Sequence, residues 1–213
     1  MTNIYCYGAG EPLILLGVID DFISFIFQRS YSGIGEWSLT LDGNSLNAQR
    51  VKGMKYIKVG DMEAGLVESH LETNEEEKDI ITYRGCELKG IAKNYVITPS
   101  NGEAYVSFVN ASPEYVISQL IDCQILNPDD VNRKIAGTIA PHTNSTETIT
   151  YNGRYQNLAE EIKALADTNY IGWVADIEDN SIVWKIWSGV VRTESQSEND
   201  RLIVSYEYDT MDS

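Results

Sequence analysis

Basic residues, cysteine and histidine are scarce in this sequence. Sixteen Lys and Arg stand against 32 Asp and Glu, a formal net charge of −16. A nucleic-acid surface needs a basic stripe, so stable binding to nucleic acid is excluded as a main activity. Binding to an anionic membrane is disfavoured for the same reason. The three cysteines, Cys6, Cys86 and Cys123, are scattered with no C-x-x-C, and His70 and His142 are the two histidines. That supply builds neither a disulfide framework nor a zinc centre, so reduced thiols are expected, with no metal and no other cofactor. Long apolar runs are missing too. Residues 13–19 are apolar but are closed by Asp20-Asp21, well short of the roughly 20 residues of a membrane span and without the positive flank of a signal peptide. No phosphate loop, dinucleotide fingerprint, H-E-x-x-H or G-x-S-x-G occurs.

What the chain does have is alternation. The hydrophobic fraction, 43% of 213 residues, is enough for a packed core. Residues 13–19, 22–31 and 36–41 read as strands, the last two joined by Gly33-Ile34-Gly35. Residues 42–45 form a turn cluster and 56–59 a short strand. Residues 66–72 alternate cleanly, 75–78 form a charged hairpin tip, and 79–83 are the return strand. The middle changes character. Ser112-Pro113-Glu114 is a helix start, with an N-cap serine, proline at the first helical position and an acid in the first turn. Val116, Ile117, Leu120 and Ile121 follow at helical spacing until Asn127-Pro128. A second helix is expected over 157–167, capped by Asn157 with Glu160 at capping-box spacing, its buried stripe being Leu158, Ile162 and Leu165. A hairpin over 170–177 and 181–187 turns at 178–180, and 202–208 is one more alternating strand.

The fold class expected is α+β: a β-barrel-like domain with an inserted two-helix α/β lobe. The divisions are 1–98 for the β-rich part, 99–190 for the lobe and 191–213 for a strand returning toward a second barrel half. The last strand is expected to return to the first β-domain, and the alternative reading is that the chain is the N-terminal part of something longer.

Each candidate for chemistry has a plainer reading that outweighs it. Asp20-Asp21 fits a solvated turn better than an acid/base pair, which needs a defined separation across a cleft. Residues 176–180 echo a calcium loop, but Ser181 stands where that loop needs glycine. Cys86 and His70 would have to touch to form a nucleophile pair; a buried thiol is simpler. The four tryptophans invite a sugar-binding reading. Trp184 and Trp187 are three apart, so on a strand they point to opposite faces. Burial in a core or at a subunit interface is the better account. No catalytic residue is assigned and no enzyme is expected. The candidate interface anchors are Arg29, Tyr31, Trp37, Trp184 and Trp187.

The ordered pieces resemble the siphovirus tail-hub, or tail-associated, protein family. The carriers are residues 20–25 with 29–41 (Arg29-Ser-Tyr-Ser-Gly-Ile-Gly-Glu-Trp-Ser-Leu-Thr-Leu), Ala64-Gly-Leu-Val-Glu68, the block 81–88, the block 91–99 ending in Pro99, and then the two helices and the hairpin. One local departure is Lys93 or Asn94 where the family carries arginine. The resemblance implies a baseplate-hub fold whose barrel-like domains form a ring, a homotrimer, continuing the tail tube. The ring would pass DNA as transient cargo, an acidic wall repelling the polyanion. It further implies partners such as the distal tail protein and tape measure, no membrane binding, and a place in the virion tail after assembly in the bacterial host cytoplasm. The alternatives are a carbohydrate-binding adhesin using the Trp-rich hairpin and a tail-associated peptidoglycan hydrolase.

Overall fold

The computed structural model describes residues 2–75 and 78–189. The first half is a seven-stranded sheet built from β1 (Ile4–Gly8), β2 (Ile14–Ile19), β3 (Ser24–Phe27), β4 (Glu36–Asp42), β5 (Tyr56–Lys58), β6 (Ala64–Glu75) and β7 (Lys78–Glu87). Its order is β2-β1-β5-β6-β7-β4-β3, with every neighbour antiparallel. Register shifts between Cys6 and Tyr7 and between Val67 and Ser69 add local twist, as an extra residue in one strand does. The sheet curls into a half-barrel and stays open between β2 and β3.

Alternation sets the concave face. Ile4, Cys6, Ile19, Trp37, Leu39, Leu41, Ile57 and Tyr83 are buried there under the short helix α1 (Leu46–Arg50), which contributes Ala48. Ser45 starts that helix by accepting from the Ala48 amide at 3.0 Å. Trp37 is the largest side chain in this core, and it lies flat against backbone. Its Nε1 donates to the Cys86 carbonyl at 3.0 Å. A Cβ on Gly65 would come within 2.3 Å of Trp37 Nε1. One on Gly85 would meet the Leu66 carbonyl oxygen at 1.8 Å and the indole at 3.0 Å. The two glycines are the space that the indole fills.

The second half opens with a 3-10 helix, Leu88–Asn94. It continues through β8 (Val106–Ala111), α2 (Pro113–Ile121) with a π-helical extension (Asp122–Leu126), β9 (Thr138–Ile139), β10 (Ile149–Gly153), α3 (Leu158–Asn169), β11 (Ile171–Glu178) and β12 (Ser181–Ser188). Among the described residues β10 pairs only with β8, and β11-β12-β9 make a three-stranded sheet. Leu88, Ile91 and Ala92 meet Val116, Ile117 and Leu120 of α2, Leu158 and Ile162 of α3, and Trp173 and Trp184 of the hairpin in one core. Tyr7, Leu13 and Ala64 from the half-barrel belong to that same core, so the two halves are packed together.

Both helix starts fall where the caps place them. The Ser112 hydroxyl accepts from the Tyr115 amide, and Asn157 Oδ1 accepts from the amides of Ala159 and Glu160. Asp179 and Asn180 both have positive φ (46° and 59°), the two-residue turn that matches hairpin twist, so 176–180 is the end of a strand and a hairpin turn. The expected α+β, barrel-like architecture is present. Three expectations differ. The strand over 22–31 ends at Phe27, and 28–35 is a loop rather than a tight Gly-Ile-Gly turn. Residues 91–94, in the block 91–99 for which the family resemblance implies a strand, are helical. β1, α1 and the β8–β10 ribbon went unforeseen. The expected strand 202–208 lies outside the described residues.

Candidate functional site

Two strand edges and one buried clamp dominate the functional geometry. Among the described residues β2 pairs only with β1 and β3 only with β4. Neither strand carries a charge or a proline: they read Ile-Leu-Leu-Gly-Val-Ile and Ser-Phe-Ile-Phe. Ile14 (56%), Ile26 (63%) and Ile23 (60%), which precedes β3, are more than half exposed. Folded proteins blunt such edges with charge, proline or a cover, because a bare row of N–H and C=O groups templates pairing with another chain. Here neither strand sequence carries those guards.

The clamp holds the loop beside β3. Lys89 is completely buried, and its Nζ donates to the carbonyls of Ser30 (2.5 Å) and Trp173 (3.0 Å), lies 3.4 Å from Glu87 and sits 5.2 Å from the Trp173 ring centroid. Burial lowers its pKa, and Glu87 opposes that shift. Glu87 Oε2 also accepts from the amides of Gly35 (2.7 Å) and Ser30 (3.2 Å). Trp173 Nε1 donates to the Ser32 carbonyl at 2.6 Å. One Lys-Glu pair therefore satisfies the loop's backbone and ties the half-barrel to the hairpin of the lobe.

A second tie runs through Asp176, 1% exposed. Its carboxylate accepts from Lys58 Nζ (2.9 Å), Lys185 Nζ (3.1 Å) and the Ile177 amide (2.8 Å). Burial works against the charge, but those donors outweigh it and hold the carboxyl below its usual range. Glu114, also 1% exposed, accepts from the hydroxyls of Ser145 and Ser188 and from the Ser145 amide. Burial again opposes its charge, and these bonds, Ser188 foremost, prevail. The buried carboxylates are thus engaged in holding segments together. Burial pushes the Cys6 and Cys86 thiols up to about 12, which keeps them protonated and not nucleophilic at neutral pH. The neighbour of Cys86 is Glu68, at 3.2 Å, while His70 stacks on Tyr83. Among the described residues no three His, Cys, Asp or Glu converge on a common point, and no helix is long and apolar enough to cross a membrane.

The five anticipated anchors divide. Trp37 (3% exposed) and Trp184 (0%) lie inside the protomer, the core burial that was one of the two places expected for the tryptophans, and each fills a hollow that an apolar core must close. Trp184 stacks on Trp173 at 6.1 Å between centroids, nearly parallel. The burial of Trp173 and Trp184 counts against the glycan-binding alternative, which needs exposed tryptophans on that hairpin. Tyr31 and Trp187 meet edge to face at 5.9 Å, and the Tyr31 hydroxyl donates to the Tyr170 carbonyl. Trp187 lies over Gly172, where a Cβ would come within 2.3 Å of the indole. Arg29 is exposed on the clamped loop. The clamp itself, Glu87 and Lys89, was missed; its one signal was a Glu-x-Lys between apolar residues at the end of a strand.

A family model described as Siphovirus ReqiPepy6 Gp37-like protein matches residues 10–213. The chain belongs to that family. It is a siphovirus tail protein family. A search of curated proteins gives no match. Among solved structures, the 43 kDa tail protein of prophage MuSo2 from Shewanella oneidensis matches with a TM-score of 0.51 at 13% identity, covering 86% of this chain and 54% of that one. A tail protein from Neisseria meningitidis MC58 gives 0.49 at 9% identity, covering 86% and 50%. The chain thus spans about half the length of the solved proteins it matches. The MuSo2 likeness supports a shared fold.

Proposed function

We propose that this chain is a structural component of a phage tail tip, its half-barrels joining copy to copy into a hub ring that continues the tail tube and passes DNA. The observation that carries the reading is the pair of unguarded edges on an open, curled sheet. A β2 edge meeting a β3 edge of the next copy is a head-to-tail contact, and head-to-tail contacts close into rings when the rotation fits. Three copies, each contributing to a tube wall, are the number the family resemblance suggests. The excess of acid suits a lumen that DNA traverses without adhering. Distal tail and tape-measure proteins are the proposed neighbours, and the virion tail, assembled in the bacterial cytoplasm, is the proposed location.

A lysine in place of Ile26 on β3 tests the reading. The side chain is 63% exposed, so the protomer keeps its fold, while an edge lysine opposes strand addition. The wild-type chain is expected to form a concentration-dependent oligomer by sedimentation, with rings in micrographs, and Ile26→Lys to remain largely monomeric. Unchanged assembly in the variant would remove the β3 edge from the contact.

A further inference from the structure

We propose that the outward face of the β8–β10 ribbon is a contact surface for a second copy of this chain, centred on a Tyr105–Arg154–Tyr155 stack. It uses a different face from the strand edges invoked above and shares with that reading only the premise that copies associate. β8 and β10 are antiparallel, with Ser107 opposite Asn152 and Phe108 opposite Tyr151. Alternation turns Phe108 and Tyr151 inward, where Phe108 meets Tyr115 of α2 at 6.2 Å. Tyr105, Ser107, Val109, Asn152 and Arg154 therefore share the other face, and all are exposed. Ser107 donates to Asn152 Oδ1 at 2.7 Å across that face.

The Arg154 guanidinium sits 5.1 Å from the Tyr105 ring and 5.4 Å from the Tyr155 ring, and it makes no ion pair with a described carboxylate. Stacked between two rings, its planar fork is pre-oriented and partly desolvated, which favours two-pronged binding to a carboxylate. Tyr155 is held at φ +61°, a backbone region that bulky residues avoid. The Tyr155 amide donates to the Ile97 carbonyl and the Arg154 amide to Gln156 Oε1, each at 2.6 Å. These bonds hold an exposed ring in a strained position, and strain of this kind gathers at working surfaces. Tyr and Arg are also the residues that carry most binding energy at interfaces.

The occupant follows from charge. Every copy of this chain bears two acidic residues for each basic one, so like-charge repulsion opposes most approaches between copies. Of Tyr105, Ser107, Val109, Asn152 and Arg154 on the ribbon face, Arg154 is the one that carries a charge, a cation. That face is a place where a neighbour's carboxylates are attracted rather than repelled.

Sedimentation of the full chain in about 0.15 M salt over a range of concentrations tests this, with circular dichroism as the fold control. Arg154→Glu is expected to lower the association constant about tenfold or more, and Arg154→Lys, which keeps charge but loses the planar fork, to lower it less. Tyr155→Gly relieves the positive φ, so its unfolding midpoint should hold or rise while association weakens; a merely structural role for the tyrosine would not give that split. Wild-type association in Arg154→Glu overturns the proposal, as does a wild-type chain that stays monomeric up to about 1 mM. Loss in Ile26→Lys with none in Arg154→Glu leaves the ring reading standing and this one refuted; the opposite pattern does the reverse.

Discussion

Trp37 shows how much a single side chain can demand of its neighbours. The indole occupies space that exists because residues 65 and 85 have no Cβ, and its N–H is satisfied by the Cys86 carbonyl. Gly85→Ala would place a methyl group against the Leu66 carbonyl, and neither backbone nor ring can yield cheaply. The variant should lose about 2 kcal/mol or more of stability, the scale of overpacking a tight core, read as a lowered midpoint in urea unfolding. Asp176 shows the opposite economy, in which one carboxylate serves two lysines and the amides of Met62 and Ile177. Its folded pKa lies below its unfolded value of about 3.8. The unfolded chain therefore binds the proton more readily, and the stabilisation is complete above that pH and lost as pH falls through the folded value. Asp176→Asn should cost about 2 kcal/mol at neutral pH. It should also flatten the acid limb of the stability profile, leaving the same-signed contribution of Glu114, whose pKa is likewise lowered.

Elements were legible in the sequence where a local rule decides them and obscure where a distant partner does. The starts of α2 and α3 could be placed because a capping side chain and an apolar stripe lie within a few residues of each other. The β11–β12 hairpin could be placed because alternation brackets a short polar turn. β3 was drawn too long because nothing local in Gln28-Arg29-Ser30-Tyr31 breaks a strand; what ends it is Glu87 and Lys89, almost 60 residues away, capturing Ser30 and Gly35. The resemblance implies a strand over 91–99, and residues 91–94 instead belong to the 3-10 helix for a related reason: the apolar residues of that helix answer to α2 and α3, not to a sheet. Trp37 and Trp184 were candidates for a surface because aromatic content alone does not distinguish core from interface. Asn157 joins the two kinds of signal. Its Oδ1 caps α3, and its Nδ2 donates to the Lys93 carbonyl at 2.8 Å, fastening that helix to the 3-10 segment. Asn157→Ala should therefore exceed an ordinary cap deletion of about 1 kcal/mol and approach 2. Asn157→Asp keeps the cap and loses the tie, so a thermal melt of both variants should rank it between alanine and wild type.

At the scale of the whole molecule, charge and edges pull in opposite directions. Open strand edges favour joining copies, and a net charge of −16 per copy drives them apart. The balance makes assembly sensitive to salt with a definite sign. At about 0.01 M ionic strength the Debye length is near 30 Å, and a copy feels most of its neighbour's charge; at about 0.15 M it is near 8 Å, and contacts driven by backbone pairing and apolar burial are left with little opposing repulsion. Association of the wild-type chain should accordingly strengthen on adding sodium chloride over that range, the reverse of what contacts resting mainly on ion pairs would do. Arg154→Glu adds two negative units of charge per copy relative to wild type and should make the dependence steeper. Sedimentation across the salt series measures both slopes. Association that weakens as salt rises would mean that opposite charges, rather than bare strand edges, hold the copies together, and the ring model built on β2 and β3 would have to be abandoned.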